Sequence, residues 1–96
     1  MDRDLLDAAG RAAFGKEWQR AMARALGPHH PDGARSSIDD RLVRRWASGE
    51  RPIPGWVWEA LPAVLEAATR VAEVRATELR HIAARIERDA PPRRVA

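Results

Sequence analysis

The chain has 96 residues, 17 of them Lys or Arg against 14 Asp or Glu, a net charge of +3 and no cysteine. That length supports one small domain, and the lack of cysteine excludes disulfides and thiolate metal sites. No apolar run is long enough to span a membrane and no signal-peptide pattern is present, so the expected location is the cytoplasm.

Tyrosine is absent, β-branched residues are sparse, and Ala, Leu, Arg and Glu dominate. Helix is therefore favoured over strand throughout. Residues 2–14 (DRDLLDAAGRAAF) read as a first helix. Asp2 and Asp4 suit its N-terminus, and Leu5, Leu6, Ala9, Ala12 and Ala13 give an apolar stripe. Gly10 marks either a weak point or a place where another helix comes close, and Gly15 ends the helix. Residues 16–26 (KEWQRAMARAL) read as a second helix closed by Gly27-Pro28. Trp18, Met22, Ala25 and Leu26 sit at core spacing, and Ala23 is small enough for two helices to cross. Gln19 falls in the first turn, where backbone N–H groups and its amide can hold a phosphate.

Residues 27–38 (GPHHPDGARSSI) hold prolines, glycines and serines at the density of a loop. His29, His30 and Asp32 have poor spacing for a metal, because adjacent loop histidines point apart and no further ligand cluster follows. The expectation is no metal and no cofactor. Arg35 and Ser37 stand just ahead of the next helix, well placed for phosphate.

Residues 39–49 (DDRLVRRWASG) carry the most informative pattern. At about 100° per residue, Arg41, Arg44, Arg45 and Ser48 share one face, and Leu42, Val43, Trp46 and Ala47 share the other. Asp39 is placed to cap the start, Asp40 adds favourable charge, and Gly49 stops the helix. A solvated surface helix can show paired arginines too, but a helix buried on one face with guanidiniums on the other is what DNA reading requires.

Pro52 and Pro54 make residues 50–55 a rigid connector in which Ile53 plugs the core. A helix restarts at 55–61 (GWVWEAL), with Trp56, Val57 and Leu61 available for packing and Trp58 either core or dimer surface. Pro62 suits the first turn of a new helix, 62–88, about 40 Å long. Leu65, Ala68, Ala72, Leu79, Ile82 and Ile86 are spaced by threes and fours, with Arg75 interrupting. Part of that stripe has nothing in so short a chain to cover it, which points to a second copy. Residues 90–96 (APPRRVA) read as a flexible tail whose Arg93 and Arg94 add nonspecific charge.

Residues 18–49 resemble a helix-turn-helix of the Cro/C1 (Xre) type found in phage and bacterial regulators. Gln19, Met22-Ala23 and Gly27 match that family's first helix. Asp39, Asp40-Arg41, Val43, Arg44-Arg45, Trp46 and Gly49 match its second. The run VRRWASGERPIP resembles small regulators that pass through such a segment into their next helix, and the likeness extends over residues 4–61. The loop Gly27–Ile38 departs from it, because the motif's turn has about four residues. That length either widens the angle between the helices or adds contacts of its own.

The resemblance implies an all-α fold: a helix-turn-helix bundle over 1–61, with the extended loop 27–38, then a long C-terminal helix over 62–89. It implies a dimeric, sequence-specific double-stranded DNA-binding repressor or autorepressor reading an inverted-repeat operator. Among similar proteins, small autorepressors of mobile elements, including anti-CRISPR-associated regulators, combine such a domain with C-terminal dimerisation. Asp40, Arg41, Arg44 and Arg45 are then the candidate base readers, and Gln19, Arg35, Ser37, Ser48 and Arg51 the backbone contacts. Leu65, Ala72, Leu79, Ile82 and Ile86 form the candidate dimer face. The main rival is a protein-interaction module, an antitoxin or adaptor that grips another protein through the long helix. RNA binding is disfavoured because the Trp residues sit at core spacing rather than on a stacking platform. No catalytic pattern of paired carboxylates, nucleophile and base, or phosphate-cradling Gly loop is present, so the chain does not read as an enzyme.

Overall fold

The computed structural model describes residues 3–89. The readings of Asp2 and of the tail 90–96 lie outside them. The described residues are all-helical: α1 (Arg3–Phe14), α2 (Gln19–Leu26), a short 3-10 turn at Gly27–His29, α3 (Asp40–Ser48) and α4 (Gly55–Asp89). The fold is an all-α bundle with a long C-terminal helix. Helices α1 and α2 pack on the first part of α4, α3 packs across α1 and α2, and the rest of α4 extends the molecule to 59 Å in its longest dimension.

The core is one cluster in which Leu6, Trp18, Met22, Leu26, Val43, Trp46 and Val57 are fully enclosed or nearly so. Trp18 and Trp46 are its largest members, and the Trp18 indole N–H donates to Asp7 at 3.3 Å. Asp7 also accepts from Arg11 at 2.8 Å, so the polar end of a buried ring is satisfied at the surface. Gly10 leaves the space for that ring: a β-carbon there would lie 2.7 Å from Trp18 Cγ. What comes close at Gly10 is therefore an aromatic side chain, that of Trp18 just ahead of α2, rather than another helix.

Three local expectations are corrected. The second helix starts at Gln19 rather than residue 16, because Gly15 turns left-handed (φ 88°) and residues 15–18 form the corner. Trp18 begins the new helix by accepting from the Met22 N–H at 2.8 Å. Leu5 stands 53% exposed, leaving Leu6 to carry the α1 contact with the core. Pro62 does not start a new helix: α4 runs through it. Proline inside a helix forfeits one backbone hydrogen bond and typically costs about 3 kcal/mol. Here Val57, Ala60, Leu61 and Val64, on both sides of Pro62, are all buried against the core. Pro62 itself lies on the exposed side, where water can satisfy the freed carbonyl. The core-facing part of α4 thus extends past residue 61.

The loop after α2 is also less free than its composition implies. The Gly27 carbonyl accepts from His30 N (3.2 Å) and Arg35 N (2.9 Å), and Ile38 N donates to the Ala23 carbonyl (3.0 Å). Gly27 has ordinary helical torsions, so it is not there for a left-handed turn. A β-carbon on it would sit 2.6 Å from the Arg35 carbonyl oxygen. Glycine lets the returning loop lie on the end of α2. Ile38, buried at the end of that return, anchors the loop where α3 begins.

Candidate nucleic-acid interface

Helix α3 forms because its ends are fixed locally. The Asp39 carboxylate accepts from the Arg41 backbone N–H at 2.9 Å, which satisfies one donor of the first turn. Gly49 closes the helix in the left-handed conformation (φ 85°), its N–H donating to the Trp46 carbonyl. A third clamp comes from far away in sequence: Arg3 Nη1 donates to the Ser48 carbonyl at 2.7 Å. A guanidinium at a helix C-terminus also complements the dipole. No local pattern signals a partner 45 residues away.

The two faces divide as the sequence spacing predicts. Val43 and Trp46 are buried, Leu42 and Ala47 are half-buried, and Arg41, Arg44, Arg45 and Ser48 are exposed. The buried stripe fixes the roll of the helix, so the arginines face solvent whatever their partners.

Those arginines are not free. Arg41 forks onto Asp39, with Nε at 3.2 Å and Nη2 at 3.1 Å. Arg44 lies 3.3 Å from Asp40, one turn back, and Arg45 lies 4.0 Å from Glu50. The side-chain and backbone hydrogen bonds from Arg41 hold the Asp39 carboxyl below the usual carboxylate range, and the same contact raises Arg41. Three positive and three negative charges thus leave this part of the surface formally neutral. All three pairs are exposed to water, where such contacts contribute little and exchange readily.

Two arginines without an ion pair sit beside α3. Arg35, Ser37 and Arg51 line one groove of about 410 Å³, together with Asp39, His30 and Trp56. Neither Arg35 nor Arg51 has an ion-pair partner among the described residues. The structure therefore brings together three of the five expected backbone contacts across a gap of sixteen positions. One wall is aromatic: Trp56 packs edge-on against Trp46 (centroids 6.4 Å apart) and lies 5.3 Å from the His30 ring. That wall was not visible in the sequence, and it places Trp56, half-buried, against the core rather than on a free surface. Trp58 is likewise half-buried and packed on the core.

The other two expected contacts stand apart. Ser48 donates its hydroxyl to the Arg45 carbonyl at 3.1 Å and accepts from Glu50 N at 3.4 Å, so it serves the helix end. Gln19 opens α2, half-buried and without a side-chain hydrogen bond among the described residues, and it does not line the groove. Ser37, though in the groove, spends its hydroxyl proton on the Ile38 carbonyl at 2.8 Å. The histidine loop is held by a turn in which His30 Nδ1 accepts from Asp32 N at 3.1 Å. Among the described residues no group of three His, Cys, Asp or Glu side chains is placed to hold a metal ion. No described helix is long and apolar enough to cross a membrane.

The expected dimer face lies on α4, from Leu65 and Ala72 beside the bundle to Leu79, Ile82 and Ile86 beyond it. Leu65 is 36% exposed, and Leu79, Ile82 and Ile86 are each close to 60% exposed, as are Val71 and Val74. Ala72 is also exposed. No known protein family, curated protein or solved structure matches this chain.

Proposed function

We propose that the protein is a dimeric, sequence-specific double-stranded DNA-binding regulator, acting as a repressor or autorepressor in the cytoplasm, that reads an inverted repeat through α3. The observation that carries this reading is the division of labour around α3. Its arginines are held in order by carboxylates on a helix locked at both ends, and unpaired Arg35 and Arg51 flank it across the groove. Arg35 and Arg51 supply the sequence-independent attraction to phosphate. Arg41, Arg44 and Arg45 exchange their carboxylates for a guanine O6/N7 pair, which grips a guanidinium through two bonds at once. A wrong base leaves the paired state in place, so weak pairing suppresses nonspecific binding. Asp40, on releasing Arg44, is free to accept from a cytosine amino group. The resemblance of residues 18–49 to Cro/C1-type regulators supports the same reading. A two-fold dimer of such units reads half-sites about 34 Å apart, or a multiple of that.

The test is a fluorescence-anisotropy titration on the duplex upstream of the protein's own coding region, with a scrambled duplex beside it, across a salt series. Preference of roughly a thousandfold at physiological salt supports an operator. Equal, weak binding to both that vanishes with salt, followed by failure of a wider sequence selection, removes the reading. The exposed apolar residues of distal α4 favour one alternative, a module that grips another protein. A variant Leu79→Asp/Ile82→Asp that stays folded, keeps its size and binds DNA unchanged would direct attention there.

A further inference from the structure

The distal part of α4 and a groove beside its first half are complementary in size, and they lie on one line. The groove, about 780 Å³, runs between α4 and the ends of α1 and α2. Its lining is dominated by alanines, among them Ala12, Ala21, Ala25, Ala67, Ala68 and Ala72. Beside these small residues stand only a few larger apolar ones, Phe14, Val64 and Val71, so the surface has room for bulky side chains. Past the groove, α4 carries Leu79, Ile82 and Ile86, each more than half exposed. At about 100° per residue, Val64, Ala68, Ala72 and Arg75 of the groove wall share a helix face with Leu79, Ile82 and Ile86. The positions Leu65, Ala68, Ala72, Arg75, Leu79, Ile82 and Ile86 alternate steps of three and four, the repeat of a two-helix seam.

We infer that a second copy of this chain occupies the groove with its α4 running antiparallel, so that each copy's distal helix lies along the other's alanine-lined segment. This rests on the self-association proposed above and not on DNA recognition. Two features select the direction. In a parallel pair, identical residues face each other. Arg75 then meets Arg75 within the seam, the bulky residues stack on themselves, and Ala68 and Ala72 form layers too small to close the grooves. In an antiparallel pair, Leu79 of one copy faces Ala68 of the other, Ile82 faces Leu65, and Arg75 faces Ala72. Large meets small in the first of these layers, and no like charges share a layer. The two-fold operation fills both grooves at once and leaves no open end, as a closed dimer requires. The overlap in this register, residues 65–82, is about 27 Å long.

The chain has no cysteine, so introduced thiols report cleanly. Sedimentation equilibrium on the full chain should give a dimer mass. Copies carrying Leu65→Cys, mixed with copies carrying Ile82→Cys and mildly oxidised, should form the mixed disulfide. Ile86→Cys alone should not crosslink to itself, because the two positions are about 37 Å apart in this register. Ile82→Asp, at a surface position that leaves the bundle core intact, should weaken self-association at least tenfold with the helical circular dichroism retained. A self-crosslink at Ile86→Cys, a monomer at tens of micromolar, or a dimer indifferent to Ile82→Asp overturns the arrangement. A monomer that still prefers one half-site sequence overturns it and leaves DNA recognition standing.

Discussion

The carboxylate of Asp40 sits 3.3 Å from the guanidinium of Arg44, one turn further along the exposed face of α3. In the proposed function this pair holds one reading arginine in reserve. Asp40→Ala releases Arg44 and removes a charge that repels phosphate. Binding to scrambled duplex should strengthen, and the logarithmic salt slope should steepen by about one, the value for one added phosphate contact. The gap between operator and scrambled duplex should narrow. Titration of both duplexes at several salt concentrations reads all three effects, and an unchanged slope counts against the exchange.

Arg35 and Arg51 differ from the α3 arginines in having no carboxylate to leave. Replacing either by Ala should weaken every sequence alike and reduce the salt slope by about one. Replacing Arg44 or Arg45 should cost about 1–3 kcal/mol on operator only and relax preference at one base pair. If Arg44→Ala and Arg45→Ala both bind operator as the parent does, α3 is not the reading helix.

Gly10→Ala sets two effects against each other. Helix propensity favours Ala by about 1 kcal/mol. The added carbon, however, would collide with the enclosed indole of Trp18, which has no room to retreat. Overpacking of this kind costs about 1–3 kcal/mol, so the net change should be destabilising. A lowered urea midpoint with an unchanged slope is the expected result, and a raised midpoint would mean that the ring can move.

The lowered Asp39 pKa gives a pH dependence of definite sign. Its folded value lies below its unfolded value, so its contribution is complete above the unfolded value, about 3.9, and lost as pH falls through the folded one. Asp39→Asn keeps the cap acceptor but cannot titrate. Thermal melts from neutral pH down to pH 2 should therefore show less acid loss in Asp39→Asn than in the parent. Equal loss would assign the acid sensitivity elsewhere.

Helix α3 was legible in the sequence because everything that forms it is local: the cap at Asp39, the stop at Gly49, and spacing that separates Val43 and Trp46 from the arginines. The Asp40–Arg44 pair was also within reach, since carboxylate and guanidinium stand four residues apart on a helix. Continuity through Pro62 was not legible, because the rule for proline is local and the packing of Leu61 and Val64 that overrides it is tertiary. Burial of Ile38 follows from a loop returning to Ala23, and the meeting of Arg35 with Arg51 follows from the same return. The Arg3 clamp on Ser48 joins the first helix to the third, a contact that no window of neighbouring residues contains.

The unbroken course of α4 restricts how the chain can change length. Its first turns are fastened to the core by Val57, Leu61 and Val64, and its last turns carry Leu79, Ile82 and Ile86 on the same side of one rod. Inserting or deleting a single residue between Val64 and Leu79 would swing the distal side chains by about 100° relative to the bundle. A change of seven residues would swing them by only about 20°. Lengthening or shortening that respects both ends therefore comes in sevens, whereas the loop Gly27–Ile38 can vary in length only if it still brings a glycine onto α2 and an isoleucine back to Ala23.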